Sequence, residues 1–244
     1  MFNTFFYQPI LNLLVFIYNT VPGNDLGISI IILTVIIKIA LYSINQKQIK
    51  AQKEIQDIQP KINEIKQKYK DNKEEMGKKM MELYKENKVN PFGSCLPLLI
   101  QLPFLFAVFK VFRDGFENGS MDLIYSFIDK PEAIHYISFG FLDLSQKNIY
   151  VAFLAGLAQY WQAKSMMSKK PEIENKDTQD ENIAAIMSKQ MTYVMPVMTV
   201  MIASTFPAGL GLYWLVTTVL SAAQQEYIFY KKNKNEKIIE GEVL

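Results

Sequence analysis

The chain has 244 residues, of which half are hydrophobic and a fifth are charged. With 26 basic and 24 acidic residues, the charge balance argues against direct nucleic-acid binding, and the single cysteine excludes an internal disulfide framework. The hydrophobic residues collect in blocks separated by lysine-rich and acid-rich segments, a layout typical of a polytopic membrane protein.

The first apolar stretch, residues 5–18, is too short and too polar for a membrane span. It contains Gln8, Pro9 and Asn12, and the turn signal PGND follows it at 22–25. We expect an amphipathic helix that lies in the membrane interface. Because neither a basic leading region nor a small-residue cleavage site accompanies the stretch, no cleaved signal peptide is expected.

Five later stretches are long and apolar enough to be predicted as spans: residues 27–44, 96–112, 149–163, 191–206 and 208–223. The second contains Pro97 and Pro103, which are expected to shape its helix because proline removes a backbone donor. The third is short, since its 15 residues reach only about 23 Å against about 30 Å of hydrocarbon. Such a span thins the bilayer beside it or meets a polar vestibule.

The lysines of the connecting segments predict the orientation of the spans. Segment 47–92 holds 12 lysines against 8 acidic residues, whereas segment 114–148 holds 6 acidic residues against 2 lysines. Segment 164–190 then has 5 lysines, the link around TFPAG has none, and the tail after Tyr230 has 4. The positive-inside rule therefore predicts an extracytoplasmic N-terminus and a cytoplasmic C-terminus.

The lysine-rich segment 47–92 carries two apolar seams with coiled-coil spacing. The first seam comprises Ile55, Ile58, Ile62, Ile65 and Tyr69, and the second, after the polar break DNK, comprises Met76, Met80, Leu83 and Asn87. The spacing favours an antiparallel helical hairpin in the cytoplasm, with a kink at Pro60, over a solvated charged loop.

Polar residues recur inside the predicted spans, and Lys38 is the most costly of them. A lysine at mid-helix costs about 2.5–3.5 kcal/mol on insertion scales, less where it can snorkel to the interface. No acidic residue lies deep in any predicted span, so Lys38 has no evident ion-pair partner. Snorkelling does not account for the other polar residues, which predict a water-filled cavity. They are Gln101, Gln159, Gln162, Thr217 and Thr218.

Several separated motifs resemble the YidC/Oxa/Alb insertase family in its short, five-span form. Asn90-Pro91 followed by GSCLPLLIQLPFLFAVFKVF (93–112) looks like the second conserved span of that family, and IIILTVIIKIAL (30–41) resembles the first. FLDLS (141–145) and FPAGLGLYWLVTTVLSAAQQ (206–225) follow in the family's order. The resemblance covers nearly the whole chain.

The resemblance implies a protein that inserts nascent membrane proteins and helps them fold without ATP. Its spans would enclose a hydrophilic groove open to cytoplasm and lipid, with Lys38 as the positive charge and Gln162, or Gln159, at the polar position of the third span. From its own place in the second span, Gln101 is expected to line the same groove. The family's aromatic pair matches Tyr213 and Trp214. Three departures stand out: lysine replaces the usual arginine at 38, Thr218 replaces a common asparagine, and the tail is short with mixed charge.

The predicted fold is all-α, with five transmembrane helices around the groove, the cytoplasmic hairpin and the interfacial N-terminal helix. The predicted segments are 1–26 (extracytoplasmic helix and turn), 27–46 (first span), 47–92 (hairpin), 93–230 (spans two to five) and 231–244 (cytoplasmic tail).

The resemblance implies nascent membrane proteins as substrates, the Sec translocon and the ribosome as further candidate partners, and a bacterial-type plasma membrane location. The chain has no phosphate-binding loop, catalytic triad or metal-ligand pattern, so no cofactor and no enzyme activity are expected. Two other classes stay open: a small permease, although neither acidic residues within spans nor an internal repeat is evident, and a membrane scaffold whose polar residues only join helices.

Overall fold

The computed structural model describes residues 1–90, 96–114, 120–166 and 190–239, and at 96–100, 113–114, 166, 190–191 and 232–239 it describes the backbone only. The described chain is mainly helical. Its α-helices are α1 (Gln8–Thr20), α2 (Leu26–Ala40), α3 (Tyr42–Asp57), α4 (Gln59–Lys68), α5 (Lys73–Glu86), α6 (Leu96–Asp114), α7 (Ile149–Met166), α8 (Met195–Ala203) and α9 (Ala208–Ile239). Short π-helical turns, Asn3–Tyr7 and Gln190–Val194, precede α1 and α8.

The N-terminal helix α1 is packed into the main hydrophobic core. Leu11 and Val15 are fully buried, and α1 contacts α2 and α6. Its polar residue Asn12 is also buried, and hydrogen bonds satisfy its side-chain amide. The amide nitrogen donates to the carbonyl oxygen of Leu123 at 2.9 Å, and the amide oxygen accepts from the N–H of Tyr125 at 2.6 Å. The polar residue that suggested an interfacial helix therefore joins α1 to the segment that follows α6.

Helix α2 begins at a side-chain cap and ends at a bend. The carboxylate of Asp25 accepts a hydrogen bond from the N–H of Ile28 at 3.0 Å, which satisfies one of the free donors of the first turn. At the other end, Leu41 leaves helical geometry (φ −91°, ψ 3°), and α3 continues at 68° to α2. The predicted first span, 27–44, is thus divided between two helices.

None of the described helices is by itself both long and apolar enough to cross a membrane; α2 and α3 together satisfy that test of length and composition, across their bend.

A loop at residues 137–147, here called the capping loop, satisfies the first turns of both α2 and α9. It contains the antiparallel strands β1 (Ile137–Ser138) and β2 (Leu142–Asp143), joined through Phe139 and Gly140, both with positive φ. The hydroxyl of Ser138 accepts from the N–H of Gly27 at 2.8 Å. At α9, the N–H of Ala208 and that of Gly209 donate to the carbonyl oxygens of Gln146 and Leu144 at 2.8 and 3.0 Å.

Helices α4 and α5 pack against each other around a small separate cluster. Ile58, Ile62, Leu83 and Val89 are buried there, with Ile55, Ile65, Met80 and Tyr84 packed against them. The helical geometry is interrupted at Ile58, between α3 and α4. Pro60 lies in the first turn of α4, where a missing N–H costs no helical hydrogen bond. Six of the eight residues in this cluster belong to the two seams, and a seventh, Tyr84, directly follows a seam residue in the sequence.

Two glycines allow pairs of the remaining helices to approach each other closely. A Cβ atom on Gly156 of α7 would lie 2.3 Å from Cγ2 of Val200 on α8. A Cβ on Gly209 of α9 would lie 2.3 Å from the Phe112 ring of α6. Because only glycine permits these approaches, α7 packs tightly on α8 and α9 packs tightly on α6.

Candidate functional site

Lys38 lies in the last turn of α2 and points at α9. Its Nζ donates a hydrogen bond to Oγ of Ser221 at 2.7 Å, and that hydroxyl donates in turn to the carbonyl oxygen of Thr217 at 2.7 Å. The position near the C-terminal carbonyls of α2 favours a cation. Lys38 is therefore held by a neutral hydroxyl 183 residues away in the sequence.

The charge of Lys38 is not balanced by a carboxylate in the described part of the chain. The ion pairs there lie on α3 and α5 and between Lys130 and Asp122, all away from Lys38. An ammonium group has three donors, of which Ser221 takes one. A half-buried cation with two donors that no described residue takes up attracts groups that accept hydrogen bonds, above all anions.

A second polar contact joins α6 to α9 close to the same face. Nε2 of Gln101 donates to the hydroxyl of Tyr213 at 2.7 Å, and the Tyr213 side chain is 1% exposed. Thr217 lies one turn further along α9, and its buried hydroxyl makes no hydrogen bond of accepted geometry, although it neighbours the Tyr213 hydroxyl. Helix α9 thus presents Tyr213, Thr217 and Ser221 at four-residue intervals, which places them on one face.

The other residues singled out from the sequence are less closely joined to this group. Thr218 is buried on α9 beside Thr217, and Trp214 is half-buried there. Gln159 and Gln162 are half-buried on α7, and neither makes a hydrogen bond to the described side chains of Lys38 or Ser221.

Of the two prolines of α6, only Pro103 has a described side chain. Pro103 lies within α6 and lines an apolar cavity of about 760 Å³ between α6 and the N-terminus. The side chain of Pro97 lies outside the described residues, as do residues 91–95 of the motif that begins this segment.

Two polar contacts of α9 were missed by the sequence reasoning. Ser221 is the first, although it lies four residues after Thr217 on the same helical face. The second is Glu226, whose Oε1 accepts from Nε1 of Trp161 and from Oγ of Ser165, each at 2.8 Å. Glu226 therefore joins the last turns of α7 to the middle of α9.

Hydrogen-bond donors dominate the group around Lys38, and no cluster of three or more metal-ligating side chains occurs in the described residues. The arrangement offers an ammonium group, hydroxyls and amides, and it has neither a nucleophile paired with a base nor a carboxylate pair. What it can do chemically is bind groups that accept hydrogen bonds.

Comparison with known proteins places the chain in a family. The family model described as 60Kd inner membrane protein matches residues 16–236. A membrane protein insertase YidC of Fusobacterium nucleatum subsp. nucleatum is 36% identical over 230 residues, which cover 93% of this chain and 98% of that protein.

Two longer relatives bear the same name. The YidC of Geobacter metallireducens is 34% identical over 221 residues, 91% of this chain and 36% of the relative. That of Streptomyces avermitilis is 31% identical over 235 residues, 87% of this chain and 54% of the relative. The chain therefore spans about a third to a half of the length of these two relatives, and nearly the full length of the Fusobacterium protein. It belongs to the 60Kd inner membrane protein family, the YidC/Oxa family that its motifs resemble.

Proposed function

We propose that this protein is a membrane protein insertase that receives the hydrophilic flank of a nascent membrane protein beside Lys38. The flank enters a groove bounded by α2, α6 and α9, while the apolar segment of the substrate passes into lipid along α7 and α9. The relatives at 31–36% identity, all named as insertases, support this function.

The observation that carries the proposal is the hydrogen bond from Lys38 to Ser221. A cation that is held by a neutral hydroxyl keeps its full charge available, whereas a carboxylate partner would cancel it. The flanks of many single-span proteins carry acidic residues, and a carboxylate entering the groove would find two free donors on Nζ.

The membrane arrangement is part of the proposal. Five spans, near 27–44, 96–112, 149–163, 191–206 and 208–223, cross the bilayer with the N-terminus outside and the C-terminus in the cytoplasm, in agreement with the alternation of lysine-rich segments. The bent pair α2–α3 carries the first span to the cytoplasmic face, where the basic pair α4–α5 stands as a hairpin. This hairpin is the candidate contact for the ribosome, and the Sec translocon is a candidate partner in the bilayer.

No nucleotide is needed in this mechanism. Moving the substrate's apolar segment out of water releases about 25 cal/mol per Å² of apolar surface, which is enough to draw a short polar flank along with it. The role of Lys38 and the polar groups of α9 is to lower the cost of that flank inside the bilayer, where unsatisfied polar groups are most expensive.

Reconstitution tests the proposal. Vesicles that contain only the purified protein are expected to insert a small single-span substrate with an acidic flank, and Lys38→Arg should retain that activity. Lys38→Glu should lose it for the acidic flank and regain it when the flank carries lysines instead. The exposed Lys50→Glu, which changes net charge equally on α3, serves as the control.

Two outcomes would contradict the proposal. If Lys38→Glu inserts acidic and basic flanks as well as the wild type does, attraction by charge is wrong. If the folded wild-type protein inserts nothing, the scaffold alternative is favoured, and ion or solute flux through the same vesicles would favour the permease.

A further inference from the structure

Buried amide groups without partners collect where α3 meets α9. In the described residues, four buried side-chain polar atoms lack a hydrogen-bond partner, and three of them are amide nitrogens, on Asn45, Gln48 and Gln225; the fourth is the hydroxyl of Thr217. All four belong to α3 or α9. Buried polar groups are normally paired, so the concentration of the three amides on α3 and α9 calls for an explanation.

Contacts on either side place the three amides in the same part of the interface. Tyr42 of α3 accepts a hydrogen bond at its carbonyl oxygen from Nε2 of Gln224, at 3.4 Å. Further along, Nζ of Lys53 lies 5.6 Å from the centre of the Phe229 ring. Asn45 and Gln48 lie between these two contacts on α3.

On α9, the third amide lies between the same two contacts. Gln225, which is 2% exposed, follows Ser221 by four residues, so it continues the helical face that holds Lys38. The amides therefore extend the donor group from Lys38 toward the start of the hairpin.

The donors share one chemistry. Each amide nitrogen is neutral and can only donate, and Gln225 follows the Ser221 partner of Lys38 by one helical turn. A carboxylate of the flank would bind the ammonium group of Lys38, so the neutral amides are left for an uncharged acceptor. The acceptor that every polypeptide carries, whatever its side chains, is the backbone carbonyl oxygen.

We propose that Asn45, Gln48 and Gln225 form a subsite that binds backbone carbonyl groups of the substrate's hydrophilic flank in extended conformation. This rests on the proposed insertase function and adds to it a recognition step that is independent of flank charge. In the structure the donors are covered, since their nitrogen atoms have no exposed surface. A chain reaches them when α3 moves off α9 about the bend at Leu41, and the unpaired donors make the covered arrangement less stable.

The test replaces single amides by leucine, which keeps a similar size and removes the donor. Gln48→Leu and Gln225→Leu should raise the thermal stability of the purified protein, because a buried unpaired donor disappears. The same variants should insert substrates about five- to tenfold more slowly, equally for an acidic flank and for an uncharged Gly/Ser flank, since each loses one hydrogen bond to the chain. Lys38→Gln should instead slow only the acidic flank.

Gln224→Leu is the matched control on α9, because the Gln224 amide already donates to the carbonyl oxygen of Tyr42 on α3. Its insertion rate should stay within about twofold of the wild type. Gln48→Met gives a second, more flexible replacement with the same expected signature. Wild-type insertion in the same vesicles reports on the proposed function, and the ratio of variant to wild type reports on the subsite.

Three results would overturn the subsite. If the leucine variants insert substrates at the wild-type rate, the amides do not bind the substrate chain. If thermal stability and insertion rate fall together, the amides only stabilise the fold. A loss seen in vesicles with phosphatidylglycerol and absent in pure phosphatidylcholine would assign the donors to an anionic lipid.

Discussion

Asp25→Ala is expected to loosen the attachment of the capping loop to the start of α2. One carboxylate oxygen of Asp25 caps the N–H of Ile28 at 3.0 Å, and the other accepts from the N–H of Phe139 at 2.7 Å. The residue thus joins a helix end to a loop 114 positions later in the chain. Alanine removes both bonds and leaves Phe139 in left-handed geometry (φ 56°) without the contact that supports it.

The magnitude follows from the two bonds. Loss of an N-cap side chain costs about 0.5–2 kcal/mol, and loss of a hydrogen bond to a charged group costs about 1.5–3 kcal/mol. Asp25→Ala should therefore lower the free energy of unfolding by about 2–5 kcal/mol. Asp25→Asn keeps one acceptor for the cap and loses the charged bond to the loop, so its effect should lie near about 1.5–3 kcal/mol.

The effect should depend on pH in a definite direction. Partial burial alone would raise the pKa of Asp25, but the hydrogen bonds from the backbone N–H groups of Phe139 and Ile28 hold that pKa below its usual value. A carboxyl whose pKa is lowered by folding contributes stability above its unfolded pKa, about 3.9. This contribution is lost as the pH falls through the folded pKa, so the stability gap between wild type and Asp25→Asn should be constant from pH 7 to 5 and shrink below about pH 4.

Unfolding in mixed detergent micelles, followed by circular dichroism across that pH range, measures the effect. Asp143→Asn is the matched control, since its carboxylate accepts hydrogen bonds from residues of the same loop, among them the N–H and hydroxyl of Ser145 at 2.9 and 2.6 Å. If the control costs as much as Asp25→Asn, or if the gap at Asp25 does not change in acid, the proposed link between loop and helix is wrong.

Three other changes test the packing and the helix contacts. Gly156→Ala, whose new Cβ meets Cγ2 of Val200 at 2.3 Å, should destabilise the protein by about 1–3 kcal/mol in the same unfolding assay. Glu226→Gln should weaken the bond from Trp161 and shift its fluorescence, measured with the chain's second tryptophan replaced by phenylalanine. Ile62→Ala, at a side chain 3% exposed in the small α4–α5 cluster, should lower the free energy of unfolding by about 2–5 kcal/mol and speed hydrogen exchange in α4 and α5 alone.

Each of these changes has a control in the chain. A Cβ atom added by Gly77→Ala on α5 meets nothing within 4 Å, so this change should raise the free energy of unfolding by about 0.5–1 kcal/mol. If Gly77→Ala lowers it instead, the loss at Gly156→Ala cannot be assigned to the clash with Val200. Ser165→Ala removes only the second donor to Glu226 and should leave the Trp161 emission nearly unchanged. Lys61→Ala, exposed beside Ile62, should not alter exchange in the hairpin.

Local periodicity explains which elements could be predicted from the sequence. The spacing of Ile58, Ile62 and Leu83 indicated two helices with apolar seams, and these residues form the cluster between α4 and α5. Lys38 stood out because a charge within an apolar run is costly whatever the fold. Both signals are carried by residues that are close in the sequence.

Contacts between distant segments explain what could not be predicted. Nothing near Ser221 indicates that its partner is Lys38, because their pairing depends on how α2 and α9 pack. The bend at Leu41 occurs in an apolar run without glycine or proline, so no helix-breaking residue nearby could predict it. Asn12 was one reason to expect a helix in the membrane interface, whereas loop atoms more than 110 residues away satisfy its side chain.

The lysine at position 38, where the family resemblance implies an arginine, has a consequence for the proposed groove. An ammonium group is compact, and one of its three donors is directed to Ser221, which leaves two for a ligand. A guanidinium group could bind a carboxylate by two parallel bonds, whereas this lysine cannot. In the proposed groove, the charge of Lys38 attracts an anionic flank but selects little for its geometry. The neutral donors of the proposed subsite on α3 and α9 are then the groups that can hold a chain in register.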